Sequence, residues 1–196
     1  MKLDIYYETF RVGGIEIDAG QTSFTYDRRW QRTRQAFPVS LSMPLSSDEH
    51  PGDVLMPWLM NLLPEGDPLR ATGSALGIAQ EDVIALLERI GGDTAGALSI
   101  GAPRDRVQAG YRLVETEADL ERILADLPSK PFLVDEAGVS MSLAGTQYKL
   151  PVHADDNGRI AVPVHGAPST HILKPDNDRL HGSVVNEALC LVLARR

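Results

Sequence analysis

The alternation of apolar and polar side chains predicts a small β-sheet near the start of the chain. Residues 2–18 alternate around Gly13 and Gly14, which indicates two strands joined by a tight hairpin, because glycine adopts the positive φ that such turns require. Residues 23–27 predict a third strand, and residues 95–103 return to the strand pattern after a helical stretch. We therefore expect several short strands in the first half of the chain.

A strict alternation in residues 38–45 predicts a further, half-buried strand. Val39, Leu41 and Met43 fall on one face, and two serines separate them. Because successive side chains of a strand point to opposite faces, this pattern places the three apolar side chains in the core and the serines in solvent.

Between these strands, apolar residues recur at helical spacing in three segments. Residues 52–66 end at Pro64 and Gly66, residues 68–77 begin with a proline suited to a first turn, and residues 79–93 are amphipathic. The first half of the chain is therefore predicted to be a small sheet that carries a cluster of helices.

The second half of the chain is predicted to contain a helix, four short strands and a final helix. Thr116 and Asp119 have the spacing of a capping box at the start of a helix over residues 116–128. The four strand segments are residues 139–143, 148–153, 159–164 and 169–175. Ser183 is the predicted N-cap of a helix over residues 183–196, and the complete pattern is typical of the α+β class.

Composition and charge indicate an ordinary globular protein rather than a nucleic-acid binder. Hydrophobic residues make up 43% of the 196 residues, which suffices for a buried core. The formal net charge of −8 argues against a broad basic surface that binds DNA or RNA directly. A single cysteine, Cys190, excludes an internal disulfide, and neither a secretion signal nor a membrane-spanning run is visible, so we expect a cytoplasmic location.

The strand pattern is interrupted at Ala144 and Gly145 and resumes with Lys149. Two interpretations are open: a plain hairpin turn, and a loop that lies over the phosphates of a nucleotide. Small residues let backbone N–H groups approach phosphates closely, and a lysine on a nearby strand supplies a fixed cation. Lys174 on a later strand and Glu187 on the next helix follow the order in which protein kinases place a lysine and its acidic partner. These residues alone do not decide between the two interpretations.

Longer segments resemble the HipA family of serine/threonine protein kinases. The segment SLAGTQYKLPV is similar to that family's phosphate-loop motif, S-x-A-G-x-Q-x-K. The segment STHILKP is similar to its lysine strand, and VVNEALCLVLA is similar to its Asn-Glu helix. Four segments of the first half are similar to the N-terminal subdomain of the same family: YDRRW, PVSLSMPL, NLLPEG and IGGDTAGALSI. The resemblance therefore covers nearly the whole chain. It implies a HipA N-terminal subdomain over residues 1–103 and a connecting helix and linker over residues 104–136. Residues 137–196 would then begin a kinase domain, with the first antiparallel strands and helix of its N-lobe.

The resemblance also implies roles for individual residues. The residues implied to bind ATP are Ala144, Gly145, Thr146, Gln147, Tyr148, Lys149 and Lys174. Glu187 is implied as the partner of Lys174, and Ser142 as a site of autophosphorylation. A phosphate on Ser142 carries close to two negative charges and would expel the loop from the nucleotide site. The alternative for Ser142 is a strand serine that faces solvent.

The same resemblance implies ATP and Mg²⁺ as cofactors and a protein substrate such as an aminoacyl-tRNA synthetase. The implied partner is a HipB-like helix-turn-helix antitoxin, through which alone the protein would contact DNA, and the implied outcome is growth arrest and persistence.

Only nine residues follow Glu187, and none is Asp, Asn or His. The catalytic aspartate and the metal ligands are therefore expected outside this chain, which alone should not transfer phosphate. Asp176, Asn177 and Asp178 are interpreted as turn residues.

The alternative function is a non-catalytic regulatory module of a split HipA-like toxin–antitoxin system. Such a module would not need the small-residue loop and the lysine strand of a nucleotide site, which favours the kinase. A third interpretation, an unrelated α+β domain, requires several segments to match in the same order by chance.

Overall fold

A computed structural model describes residues 2–94, 96–104, 108–176 and 181–195. The strands of its first half are β1 (Lys2–Tyr7), β2 (Phe10–Asp18), β3 (Gln21–Tyr26), β4 (His50–Pro51), β5 (Asp93–Thr94) and β6 (Leu98–Ile100). Five of them form an antiparallel sheet in the order β4-β3-β2-β1-β6, whereas β5 pairs with a strand of the second half.

Four helices accompany this sheet; the spacing of apolar residues predicts the last three, and the first was not predicted. They are α1 (Arg28–Gln31), α2 (Gly52–Met60), α3 (Gly66–Leu76) and α4 (Val83–Ile90). The Asp82 side chain accepts a hydrogen bond from the Ala85 N–H at 3.0 Å, so α4 begins with a satisfied N-cap. Side chains of the sheet, α2 and α4 form one core, in which Phe24, Leu59 and Leu86 are completely buried.

The predicted turn at Gly13 and Gly14 is wrong, because β2 runs straight through both residues. The chain turns instead after β1, where Glu8 has a positive φ of 55°. A Cβ atom on Gly13 would lie 2.4 Å from the Phe24 ring. The glycine is therefore required for close packing of β2 against the neighbouring strand, and not for a turn.

The predicted strand over residues 38–45 is also wrong. The segment turns back on itself through a bridge between Ser40 and Met43, which leaves Leu41 96% exposed and Met43 fully buried. The Tyr26 hydroxyl donates to the Met43 carbonyl at 2.6 Å and accepts from the Val39 N–H at 2.8 Å. One side chain from β3 thus satisfies backbone groups that a neighbouring strand would otherwise have bonded.

The second half contains a four-stranded antiparallel sheet and its own core. Its elements are β7 (Gly110–Leu113), α5 (Glu117–Asp126), a 3₁₀ turn (Pro131–Leu133), β8 (Met141–Ser142), β9 (Leu150–Ala154), β10 (Ile160–Val164), β11 (His171–Leu173) and α6 (Ser183–Ala194). The sheet order is β11-β9-β10-β7. The Thr116 hydroxyl accepts from the Asp119 N–H at 3.1 Å, which confirms the predicted cap of α5. Helices and antiparallel sheets together confirm the α+β class.

The start of α6 differs from the prediction. Gly182 is the N-cap, with a φ of 81°, and Ser183 is the first helical residue. Asp176, predicted to be a turn residue, instead accepts hydrogen bonds from the Gly182 N–H at 3.0 Å and the Ser183 hydroxyl at 2.7 Å. Asp176 therefore anchors the first turn of α6. Asn177 and Asp178 lie outside the described residues.

A short parallel pair of strands joins the two halves of the chain. β5 pairs with β8 so that Asp93 lies opposite Met141 and Thr94 opposite Ser142. This pairing fixes the strand that leads into the interrupted segment at Ala144. Within the part of the chain that the structure describes, no helix has both the length and the apolar character needed to cross a membrane.

Candidate functional site

The loop over residues 144–149 connects β8 to β9 and rests on the first half of the chain. Gly145 has a φ of 107°, in a region that residues with a Cβ atom rarely adopt. Its carbonyl accepts a hydrogen bond from the Glu65 N–H at 3.1 Å, and it forms a parallel bridge with Pro64. The loop is thus held in an unusual backbone conformation by the segment between α2 and α3.

Lys149 and Lys174 lie side by side because of the register of two strands. Leu150 of β9 pairs with Leu173 of β11 in antiparallel register. Lys149 immediately precedes the first of these leucines and Lys174 immediately follows the second, so both lysines stand at the same end of the sheet. Periodicity alone could not predict this, because it does not define which residues pair.

The Lys149 side chain turns back into the loop, where its ammonium group donates to the Ala144 carbonyl. Burial and the neighbouring charge of Lys174 lower the pKa of Lys149, while the carboxylate of Glu65 opposes this shift. A Cβ atom on Gly145 would lie 3.1 Å from the Lys149 Nζ. The glycine therefore makes room for an ammonium group inside the loop.

Lys174 forms an ion pair with Glu187 of α6. The pair joins the end of the four-stranded sheet to the helix that Asp176 anchors. It leaves the two lysines differently placed: Lys174 is held by a carboxylate, and Lys149 by a backbone carbonyl. The arrangement concentrates positive charge beside the glycine of the loop, which suits a ligand with several negative charges.

The middle of the loop consists of Thr146, Gln147 and Tyr148. They line an open groove of about 1180 Å³ between α3 and α5, together with Pro175 and Asp176. The structure thus divides the predicted ATP-binding residues between two surfaces. One surface surrounds the ammonium groups of the two lysines and is formed by Ala144, Gly145, Lys149 and Lys174. The other surface is the groove, which the remaining three loop residues border.

Ser142 is completely buried, and its hydroxyl donates to the Leu62 carbonyl. The alternative interpretation of Ser142 as a solvent-facing serine is therefore wrong for this structure. A phosphate group has no space at this position unless β8 moves. Autophosphorylation of Ser142 stays a prediction.

Sequence reasoning did not predict that Leu62 and Glu65 contact the loop and the strand before it. Both act through backbone atoms, so their side chains carry no recognisable signal for this contact. Among the described residues, no cluster of three or more His, Cys, Asp or Glu side chains could hold a metal ion.

An antiparallel sheet that delivers a lysine, followed by a helix whose glutamate pairs with that lysine, is the arrangement of a protein kinase N-lobe. Residues 3–101 match the sequence model of the HipA N-terminal domain. The chain therefore belongs to the HipA family, as its sequence segments indicated.

Individual relatives and a solved structure agree with this assignment. The chain is 36% identical to Y4mE of Sinorhizobium fredii, named as a candidate kinase, over 98% of this chain and 47% of that protein. It is 30% identical to the serine/threonine-protein kinase toxin HipA of Shewanella oneidensis, over 100% of this chain and 44% of that protein. The chain thus spans less than half the length of either relative.

A solved structure of the Shewanella oneidensis HipA toxin, in complex with HipB and operator DNA, has the same fold. It superposes with a TM-score of 0.69 and 29% sequence identity, over 94% of this chain and 42% of that chain. The α+β architecture of the described residues therefore corresponds to the first part of a HipA protein.

Proposed function

We propose that this chain is the N-terminal portion of a HipA-type serine/threonine protein kinase and forms one wall of its ATP site. The observation that carries the proposal is the convergence of Gly145, Lys149 and the Lys174–Glu187 ion pair at one end of the sheet. Phosphate groups between the two lysines would offset the burial, and the repulsion from Lys174, that lower the pKa of Lys149. The residues of the loop therefore fit a polyphosphate ligand.

Each residue has a distinct role in this proposal. The 144–149 loop lies over the phosphates with its backbone, and Lys149 adds a cation within the loop. Lys174 binds the α- and β-phosphates, and Glu187 keeps its ammonium group in position. ATP supplies the phosphoryl group. Mg²⁺, the aspartate that orients the attacking hydroxyl, and the metal ligands belong to a region beyond these residues, so this chain alone does not transfer phosphate.

The wider function follows from family membership. The substrate is a protein hydroxyl group, with an aminoacyl-tRNA synthetase as the candidate, and phosphorylation causes growth arrest and persistence. A HipB-like antitoxin is the partner, supported by the similarity to a HipA whose structure contains HipB and operator DNA. The acidic net charge of −8 favours contact with DNA through the antitoxin.

Titration of ATP–Mg²⁺ into the full-length protein tests the nucleotide site. Lys174→Ala is expected to weaken binding by about tenfold to a hundredfold, because a charged hydrogen bond to phosphate is lost. Lys130→Ala, which removes an exposed lysine that belongs neither to the loop nor to the lysine pair, is the control and should bind ATP normally. Equal affinity of Lys174→Ala and the wild type would overturn the site assignment and favour a non-catalytic regulatory module.

A further inference from the structure

Residues 28–47, termed the basic segment, differ in charge from the rest of the chain. The segment contains Arg28, Arg29, Arg32 and Arg34 and neither an aspartate nor a glutamate, whereas the whole chain has 27 acidic residues and a net charge of −8. All four arginines are exposed. An acidic protein therefore presents a concentrated group of positive charges at one place on its surface.

The arginines of the basic segment lack the carboxylate partners that exposed arginines have elsewhere. Among the described residues, exposed arginines that form ion pairs include Arg89, Arg112, Arg122 and Arg159. Within the same described residues, none of the four in the basic segment forms one. The adjacent carboxylate, Asp27, is bound to Arg11 at 2.9 Å. The charge of the basic segment is therefore available to a partner.

The backbone of the basic segment is anchored to the core, so its arginines project from fixed positions. The buried Trp30 donates from its Nε1 to the Phe37 carbonyl at 3.2 Å, and its ring packs against those of Tyr7 and Phe37. The helical conformation of α1 and its C-cap places Arg28 and Arg32 one turn apart, on the same side. A fixed backbone lowers the entropy cost of binding a partner.

The basic segment also presents an apolar side chain. Leu41 is 96% exposed in the turn that the bridge between Ser40 and Met43 closes. The Ser40 and Ser42 hydroxyls lie 2.9 Å apart on either side of Leu41, and Met43 is buried, so the turn itself is held in place. A partner that covers the segment can thus gain apolar burial as well as ion pairs with guanidinium groups.

The charge of the remaining chain disfavours an extended polyanion as this partner. A DNA duplex or an anionic membrane carries its charge over distances far longer than the Debye length of about 8 Å at physiological ionic strength. Either would meet the acidic remainder of the protein as well as the basic segment, and a phosphate backbone offers Leu41 no apolar contact. A short acidic stretch of a protein can contact the basic segment alone.

We propose that the basic segment is a docking surface that binds an acidic stretch of a partner protein, one that also carries apolar side chains. Carboxylates of the partner pair with the four arginines, and an apolar side chain of the partner packs on Leu41. The docking surface is independent of the proposed function, because no residue of the nucleotide site belongs to it.

Fluorescence anisotropy of a labelled peptide of Glu-Glu-Leu triplets, titrated with the full-length protein at low ionic strength, tests the docking surface. The joint replacements Arg28→Gln, Arg29→Gln, Arg32→Gln and Arg34→Gln should weaken binding by about tenfold or more, because charge-assisted hydrogen bonds are lost. The matched control changes the net charge equally and should bind as the wild type does; it combines Arg89→Gln, Arg112→Gln, Arg122→Gln and Arg159→Gln.

Two further variants keep the test decisive. Leu41→Ala should weaken peptide binding several-fold while the melting temperature stays unchanged, because this side chain is in solvent. The double replacement of Arg28 and Arg32 by glutamine should lose part of the affinity, and it replaces the fourfold variant if thermal melts show that the latter is unfolded.

The docking surface is supported if peptide affinity falls in the variants of the basic segment and not in the control. Failure of the peptide to bind the wild type overturns it, as does equal affinity of the wild type and the basic-segment variants. Equal losses in the control also overturn it, because net charge would then be the cause. Tighter binding of a DNA duplex or of phosphatidylserine vesicles than of the peptide would identify a polyanion surface instead.

Discussion

Lys174 and Glu187 form an ion pair between the end of β11 and α6, and both side chains remain partly in solvent, with 32% and 42% of their surfaces exposed. Exposed ion pairs contribute little to stability, typically below about 1 kcal/mol. The pair is therefore better explained by the position it gives the Lys174 ammonium group than by any contribution to folding.

Replacement of Glu187 by glutamine separates these two roles. Glu187→Gln should change the free energy of unfolding by less than about 1 kcal/mol, because the pair is exposed. It should weaken ATP binding several-fold, because Lys174 loses the charge that orients it. Isothermal titration with ATP–Mg²⁺ and urea unfolding measure the two effects, and Glu121→Gln on the exposed side of α5 is the control. Undiminished ATP affinity would show that Glu187 does not position Lys174.

Gly145 can be compared with Gly158, which also has a positive φ, of 76°, but has open space within 4 Å of the position that a Cβ atom would take. Alanine at either position should cost roughly 1–2 kcal/mol of stability through backbone strain. Only Gly145→Ala also crowds the Lys149 ammonium group, so only this variant should lose ATP affinity. Thermal melts and ATP titrations of the two variants test this expectation, and parallel behaviour of the two would contradict it.

Phosphorylation at Ser142 is expected when the full-length protein is incubated with ATP–Mg²⁺. Peptide mass spectrometry should locate the phosphate, and the phosphorylated protein should bind ATP more weakly, because close to two negative charges are added beside the nucleotide site. Hydrogen exchange of the loop amides should increase as well. A phosphate found only at other residues, or unchanged ATP binding after modification of Ser142, would refute this regulation.

Asp93 is partly buried and lies 2.9 Å from Arg104 in an ion pair, and its burial predicts a pH dependence of stability. Burial raises the pKa of Asp93 above its usual 3.8, and the charge of Arg104 only partly opposes this shift. Folding therefore favours the protonated carboxyl group. The stability of the wild type relative to Asp93→Asn should be greatest below pH 3.8 and fall as the pH rises through the raised pKa. Urea unfolding across this range measures the difference; an increase with pH would mean that attraction to Arg104 exceeds the cost of burial.

Met43 and Leu41 distinguish the observed turn from the predicted strand. Met43→Ala should destabilise the protein by about 2–5 kcal/mol, since it leaves a cavity in the core. Leu41→Ala should have an effect within about 0.5 kcal/mol, since this side chain is in solvent. Urea unfolding of the two variants provides the comparison, and similar losses in both would support the strand instead.

Elements with a local chemical signal could be predicted from the amino-acid order. The Thr116 cap and the helical spacing of residues 79–93 depend on residues a few positions apart. The loop and lysine segments could be recognised as HipA-like because several of them occur in the correct order. The correct fold class followed from these features.

Contacts between distant segments decided the remaining features. The ring of Phe24 explains Gly13, and the hydroxyl of Tyr26 replaces the strand predicted around Met43. Ser142 reaches a carbonyl 80 positions earlier in the chain, and no side-chain pattern indicates an interaction with a backbone oxygen. Periodicity specifies which face of an element is apolar, but only packing determines which backbone groups meet, and the proposed nucleotide loop depends on that packing.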